Sequence, residues 1–188
     1  MHTSNSYLTG QFLIAMPALP DPNFSRTVSY ICQHSDQGAM GLVINRPLDI
    51  DLEEILKHMD IEISQESARR QPVYLGGPVQ PERGFVLHSP IGEWDSSLRV
   101  NDELAVTTSL DILRAIANGE GPDESLVCLG YAGWGAGQLE REIVENSWLN
   151  GPSDHQILFH ADVEARWNLA AAALGVDLSL LSGEAGHG

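Results

Sequence analysis

The chain has few basic residues for its length. Ten lysines and arginines stand against 26 aspartates and glutamates among 188 residues, which gives a formal net charge of −16 at pH 7. Nucleic-acid binding depends on Lys and Arg side chains that neutralise phosphates, and the sequence has neither a basic run nor a basic, aromatic-rich stretch. We therefore expect no binding to nucleic acid. An acidic surface instead favours solubility and repels polyanions.

Long apolar runs are also lacking. No stretch approaches the ~20 apolar residues that cross a bilayer. The first residues contain no Lys or Arg, and their apolar run at 12–16 is too short for the hydrophobic part of a secretory signal. These absences predict a cytoplasmic protein that does not bind a membrane.

Cysteine is rare, with two residues in the whole chain. Cys32 and Cys128 each lie in an apolar run and not in a ligand-spaced cluster, which favours buried thiols in a reducing compartment. The alternative is a reactive thiol at Cys32. His34 follows it by two residues and Arg26 precedes it, and residues two apart on a strand share a face.

The sequence contains no recognisable metal or catalytic motif. His34, His88, His155 and His160 are scattered, without the spacing of a zinc site, and no G-x-S-x-G surrounds a serine. We therefore expect no metal and no cofactor.

The segment 130–140, GYAGWGAGQLE, has the strand–glycine–helix context of a phosphate loop. Its glycines at 133, 135 and 137 are one residue short of the G-x-G-x-x-G spacing. Glu140 and Glu142 already complement the positive end of the following helix. The segment is therefore interpreted as a compact bend into a helix.

Strand and helix patterns predict an α+β fold. Strand patterns occur at 12–16, 27–32, 40–45, 72–75, 84–88, 103–108, 125–130 and 156–159. Helical patterns occur at 51–59, 109–119, 138–149 and 163–175. We expect a single domain over 1–188 with flexible ends at about 1–6 and 182–188. It should have one or more mixed, largely antiparallel sheets, about four flanking helices and a complex topology, for which a barrel-like arrangement is one option.

Five residues are candidates for binding a ligand or partner. Arg26, Arg46 and Arg83 would form a local cationic site if they converge; the alternative is that each pairs with a carboxylate. Asn45 and Arg46 end an apolar strand and can present an amide and a guanidinium to a carboxylate or phosphate, or can fasten a loop. Trp134 lies among glycines and either lines a pocket or packs in the core.

Several ordered motifs together resemble the AlgH family of bacterial proteins, which includes YqgE. They include FLIAMP (12–17), GAMGLVINRP (38–47), GGPV (76–79), RGFVLH (83–88), GYAGW (130–134), GQLE (137–140) and AGH (185–187). The resemblance implies a cytosolic α+β protein with no established enzymatic activity. The family name comes from a role in regulating alginate production, which implies a transcriptional regulator, but no helix-turn-helix pattern occurs here.

The sequence thus favours a non-catalytic regulatory or binding protein that acts through an unknown protein or small-molecule partner. Its surface would include Asn45, Arg46, Arg83 and Trp134. A thiol-dependent enzyme or redox sensor that uses Cys32 and His34 is one alternative. A transcriptional regulator is another, disfavoured by the net charge. The sequence predicts no particular oligomeric state.

Overall fold

The computed structural model describes residues 7–181. Its strands are β1 (Gln11–Ala15), β2 (Val28–Ser35), β3 (Gly38–Val43), β4 (Pro47–Asp51), β5 (Pro72–Leu75), β6 (Val79–Ser89), β7 (Ser97–Arg99), β8 (Ala105–Thr107), β9 (Glu124–Gly135) and β10 (Trp148–Pro152). Its α-helices include α1 (Leu52–His58), α2 (Glu66–Arg69), α3 (Leu110–Ala117), α4 (Gln138–Val144), α5 (His155–Phe159) and α6 (Arg166–Ala172). The predicted flexible ends, about 1–6 and 182–188, lie outside the described residues.

The chain folds into two compact units. The terminal unit contains the described residues 7–45 and 132–181, and the central unit contains residues 46–131. Strand β9 begins in the central unit and ends in the terminal unit.

The sheet of the terminal unit is antiparallel throughout. Strand β1 pairs with β10 on one side and with β2 on the other, and β3 pairs with β2 and with the last residues of β9. After Gln11, β1 is an apolar run of four residues, all buried, as expected for a strand that is covered on both faces. The core of this unit contains Leu8, Leu13, Ala15, Ile31, Ala132, Trp134, Leu139 and Trp148.

A single carboxylate organises the aromatic part of this core. The Nε1–H groups of Trp134 and Trp148 each donate to Oε1 of Glu142 at 3.0 Å, and Gln138 Nε2 donates to Oε2 at 2.9 Å. Phe24 stacks on Trp134 and meets Trp148 edge-on, with ring centroids 6.0 and 5.5 Å apart. Trp134 is 6% exposed, so its contacts are those of a packed core residue.

The glycine-rich segment is the bend that its spacing predicts. β9 runs to Gly135, and Gly137 precedes α4 with a φ of +75°, in the left-handed region that glycine tolerates. Gly130 also has a positive φ, and a Cβ there would lie 2.4 Å from the carbonyl oxygen of Gly77. These glycines therefore serve chain reversal and close backbone approach.

The sheet of the central unit has the order β4–β5–β9–β6–β8–β7, with β5 and β9 parallel and the other pairs antiparallel. Helix α3 buries Ile112, Leu113 and Ile116, a spacing of three and four residues that marks one helix face. These side chains share a core with Leu52 and Leu56 of α1. The helices thereby cover one face of the sheet.

The predicted α+β class with largely antiparallel sheets is confirmed. Strands β4 and β7 and helix α2 were not predicted from the sequence patterns, and two predicted elements are wrong. Residues 156–159 form a helix and not a strand, because the carboxylate of Asp154 caps the N–H groups of Gln156 and Ile157. The helix predicted over 138–149 ends at Val144, because Asn146 has a φ of +62° and the chain then enters β10. Within residues 7–181 no helix is long and apolar enough to span a membrane.

Replacing Glu142 tests the aromatic core. Glu142→Leu leaves two indole N–H groups without their acceptor, and an unsatisfied buried donor costs about 1–3 kcal/mol. We expect the free energy of unfolding, measured by urea denaturation, to fall by about 2 kcal/mol. Glu145→Leu, at an exposed position just after the same helix, is the control and should change it by less than about 0.5 kcal/mol. Equal stabilities of the two variants would contradict this assignment.

Candidate functional site

The central unit contains an apolar cleft between its helices and its sheet. Helices α1 and α3 and strands β6, β8 and β9 contribute to its walls. The lining residues are Ile55, Met59, Gly84, Val86, Thr107, Thr108, Ser109, Leu110, Leu113, Val127 and Leu129. Gly84 helps to create the open space, because a Cβ at this position would meet no atom within 4 Å.

Two apolar side chains remain exposed at the cleft. Met59 is 37% exposed and Leu110 is 42% exposed, and both belong to the lining. The cleft encloses about 40 Å³, far less than the roughly 300–1,000 Å³ of typical small-molecule sites. It therefore suits the end of an apolar chain better than a complete cofactor.

Arg83 lies at the edge of this cleft. Its Nη2 donates to Oγ1 of the lining residue Thr108 at 3.3 Å, and its Nη1 donates to Gln80 Oε1 at 3.4 Å. The guanidinium also lies 5.7 Å from the centre of the Phe85 ring. Among residues 7–181 it forms no ion pair with a carboxylate. Two uncharged oxygens and the Phe85 ring therefore hold the Arg83 guanidinium in place without neutralising its charge.

One carboxylate lies close to the cleft, and it is held by its own donors. Asp111 accepts hydrogen bonds from the hydroxyl of Ser109 and from the N–H groups of Asp95 and Ile112. Burial opposes its ionisation, but these hydrogen bonds outweigh burial and lower the pKa of Asp111. The carboxylate thus remains charged, and its oxygens face these donors.

A chain of hydrogen bonds begins beneath the cleft at His88, which is fully buried. Nδ1 of His88 lies 3.0 Å from the carbonyl oxygen of Pro90, and Nε2 lies 2.7 Å from Oγ1 of Thr107. Oγ1 of Thr107 is in turn 2.7 Å from Oγ of Ser97. Thr107 is fully buried, whereas Ser97 is exposed.

The carbonyl group of Pro90 determines which atom donates in each of these hydrogen bonds. A carbonyl oxygen can only accept, so His88 carries its proton on Nδ1. Burial lowers the pKa of His88, and the bond to Pro90 raises it in part, so the ring is neutral near pH 7 and its Nε2 accepts from Thr107. The Thr107 hydroxyl then has no proton left for Ser97, and Ser97 must donate to Thr107.

The predicted residues Arg26 and Asn45 lie together in the terminal unit. Asn45 accepts from the N–H of Val28 and donates to the carbonyl oxygen of Arg26, both at 3.0 Å, which is the loop-fastening role. Arg26 has a φ of +59°, and its guanidinium lies 4.8 Å from the centre of the Trp167 ring. Within the described residues neither Arg26 nor Arg83 forms an ion pair, so the alternative that each arginine pairs with a carboxylate finds no support at these two positions.

Arg46 and Arg83 belong to the central unit, whereas Arg26 and Trp134 belong to the terminal unit. Arg46 is half-buried, and its carbonyl oxygen accepts from the N–H of Leu75 at 2.8 Å. In the predicted cationic set, the side chain of Arg83 hydrogen-bonds to Thr108, a residue that lines the cleft.

The predicted thiol lies inside the terminal unit. Cys32 is 1% exposed, and its thiol donates to the carbonyl oxygen of Tyr30 at 3.7 Å. The pairing of β2 with β3 shifts between Ile31 and Gln33. This bulge interrupts the alternation that would place Cys32 and His34 on one face.

His34 has partners other than the thiol. Its Nδ1 accepts from the N–H of Leu8 at 3.0 Å, and its Nε2 lies 3.3 Å from Oε2 of Glu140. The ring of Tyr7 meets the imidazole edge-on. These contacts favour a structural histidine, and the reactive pair of Cys32 and His34 stays a prediction.

Sequence reasoning missed the hydrogen-bonded chain. His88 was one of several scattered histidines, and Thr107 and Ser97 belong to no motif. Their contact depends on sheet register, in which Thr107 lies opposite Ser97 on one side and Val86 on the other. No cluster of three or more His, Cys, Asp or Glu side chains suited to a metal occurs in residues 7–181.

The fold and the cleft define an α+β protein with largely antiparallel sheets and an open apolar site in its central unit. The chain belongs to the AlgH-like family, whose model matches residues 12–179. The resemblance that the motifs carry is thereby confirmed.

Several known proteins are similar over nearly their full length. The chain is 60% identical to a UPF0301 protein of Thioalkalivibrio sulfidiphilus over 98% of this chain and 99% of that protein. The solution structure of the AlgH protein from Pseudomonas aeruginosa is 50% identical, with a TM-score of 0.81 over 97% of this chain and 96% of that one. A crystal structure from Corynebacterium diphtheriae, 19% identical with a TM-score of 0.74 over 96% and 94%, shares the fold alone. These names state no biochemical role.

The protonation of His88 predicts a pH dependence of stability. Since its pKa is lowered in the folded protein, the unfolded chain takes up a proton below about pH 6.5 while the folded chain does not. Stability should therefore fall as the pH drops below about 6.5, until the folded-state pKa is reached. In His88→Gln the free energy of unfolding should not show this decline. Urea unfolding at several pH values between about 7.5 and 5.5 measures the difference. His58→Gln, at an exposed position, is the control. Identical pH slopes for His88→Gln and the unmodified protein would refute the assignment.

Proposed function

We propose that this protein binds a small amphipathic anion, an apolar chain end with a carboxylate, in the cleft of its central unit. The observation that carries the proposal is the environment of the Arg83 side chain. Its guanidinium is hydrogen-bonded to the cleft residue Thr108 and has no carboxylate partner among residues 7–181. A binding protein of this kind fits a regulatory role in which ligand occupancy is the signal.

The apolar part of the ligand has a matching surface. Met59 and Leu110 are exposed beside Ile55, Leu113 and Val127, and covering such side chains removes apolar surface from water at about 25 cal/mol per Å². The limited volume favours a narrow aliphatic chain over a ring system.

The polar part of the ligand has a matching charge. A guanidinium binds a carboxylate through paired N–H donors, and the hydroxyls of Thr108 and Ser109 line the same cleft. Asp111 carries the opposing charge, but Ser109 and two backbone N–H groups occupy its oxygens. Arg83 therefore sets the preference for an anion.

We also propose that this binding occurs in the cytoplasm. Cys32 and Cys128 are both buried thiols that form no disulfide, which is usual for a reducing compartment. DNA binding is not proposed, because the net charge is −16 and binding of phosphates requires basic side chains.

Titration with octanoate tests the charge requirement. Isothermal titration calorimetry should detect octanoate binding, while octylamine, which has the same chain length, should bind at least tenfold more weakly. Arg83→Gln should weaken octanoate binding about tenfold, which corresponds to about 1.4 kcal/mol. Arg99→Gln is the matched control, because Arg99 is an exposed arginine of the same unit that already pairs with Asp102. Equal affinities for octanoate and octylamine would overturn the proposal.

Filling the cleft with a larger side chain tests whether the ligand binds there. Gly84 does not have a left-handed φ, and a Cβ there meets no atom within 4 Å, so Gly84→Leu should fold. The added side chain should occupy the cleft and abolish octanoate binding, whereas Gly84→Ala should weaken it less. Thermal unfolding of both variants should stay close to that of the unmodified protein, since a larger residue replaces glycine within a strand. Full octanoate affinity in a folded Gly84→Leu would place the ligand elsewhere.

A further inference from the structure

The hydrogen-bonded chain that begins at His88 ends at Ser97, an exposed residue. His88 and Thr107 are both fully buried, and Ser97 is the exposed end of the chain on the edge strand β7. The links are 2.7 Å from His88 to Thr107 and 2.7 Å from Thr107 to Ser97. These distances are typical of O–H donors in good hydrogen bonds.

Both hydroxyl protons in this chain point toward the imidazole. The Pro90 carbonyl fixes the His88 proton on Nδ1, Thr107 donates to Nε2, and Ser97 donates to Thr107. A hydroxyl that donates into such a chain is polarised by its neighbours. Its lone pairs remain available on the exposed side, which is the arrangement of a nucleophile linked to an oriented base.

Thr107 also connects this chain to the cleft. Thr107 is one of the residues that line the cleft, and its hydroxyl oxygen lies 2.7 Å from that of Ser97. An apolar chain in the cleft would therefore have a nucleophilic oxygen close to its wall.

We propose that Ser97 accepts an acyl group from an activated acyl ester whose apolar chain lies in the cleft. Ser97 Oγ attacks the ester carbonyl, a C–O bond forms to Ser97, and the C–O bond to the leaving group breaks. The Ser97 proton passes to Thr107 Oγ1 while the Thr107 proton passes to Nε2 of His88. The leaving group departs with the electron pair of the broken bond, and the acyl ester on Ser97 is the product.

This proposal rests on the proposed function for the position of the acyl chain, but the two can fail separately. Octanoate binding requires Arg83 and the cleft and not the Ser97 hydroxyl. Ser97→Ala should therefore bind octanoate normally while it loses acylation.

The test uses p-nitrophenyl hexanoate with the full-length protein. We expect a burst of about one equivalent of nitrophenolate, a mass increase of one hexanoyl group and its location at Ser97 by peptide mapping. Ser97→Ala should lose the burst and the label. Ser96→Ala, which removes the neighbouring exposed hydroxyl, is the matched control and should keep both.

Two further variants separate proton transfer from a merely structural network. Thr107→Val interrupts the chain and should slow acylation by about 100-fold, the usual contribution of general base catalysis, whereas Thr107→Ser should retain most of the rate. Circular dichroism should show both variants folded. Absence of a burst in the unmodified protein, labelling at residues other than Ser97, or equal rates for Thr107→Val and Thr107→Ser would each overturn the proposal.

Discussion

The carbonyl oxygen of Pro90 sets the arrangement of polar groups in the central unit. Because it can only accept, it fixes the His88 proton on Nδ1, and the two hydroxyls beyond the ring must then donate in one direction. Thr107 belongs both to this chain and to the wall of the cleft. A buried polar chain in which each member has its partner is rigid, so it holds that wall of the cleft in one geometry.

The cleft combines an apolar interior with a cation on a strongly acidic chain. A net charge of −16 repels anions at long range, and this repulsion is screened beyond a Debye length of about 8 Å at physiological salt. At contact distance the local charge decides, and Arg83 is held there by the hydroxyl of Thr108, the amide of Gln80 and the ring of Phe85. The acidic surface and an anion-binding cleft are therefore compatible.

Local patterns predicted the elements that depend on local physics. The glycines before α4 predicted a bend, and the α+β class followed from strand patterns that cluster as well as alternate with helix patterns. The predicted pair of Cys32 and His34 found no support, because a bulge in β2 interrupts the alternation that would place both side chains on one face. This bulge depends on how β2 pairs with β3. The chain through His88, Thr107 and Ser97 could not be predicted, since its members are brought together by the register of three strands. Among the candidate residues, Arg83 was identified as cationic, but its proximity to the cleft depends on Thr108, 25 residues away.

The most direct test of the account is a chemical-shift map of the isotope-labelled protein during titration with octanoate. We expect the largest changes at the amides of Gly84, Thr108 and Leu110, which surround the cleft, together with a change at the guanidinium of Arg83. Changes confined to the terminal unit, or no changes at millimolar octanoate, would contradict the assignment of the cleft as the binding site.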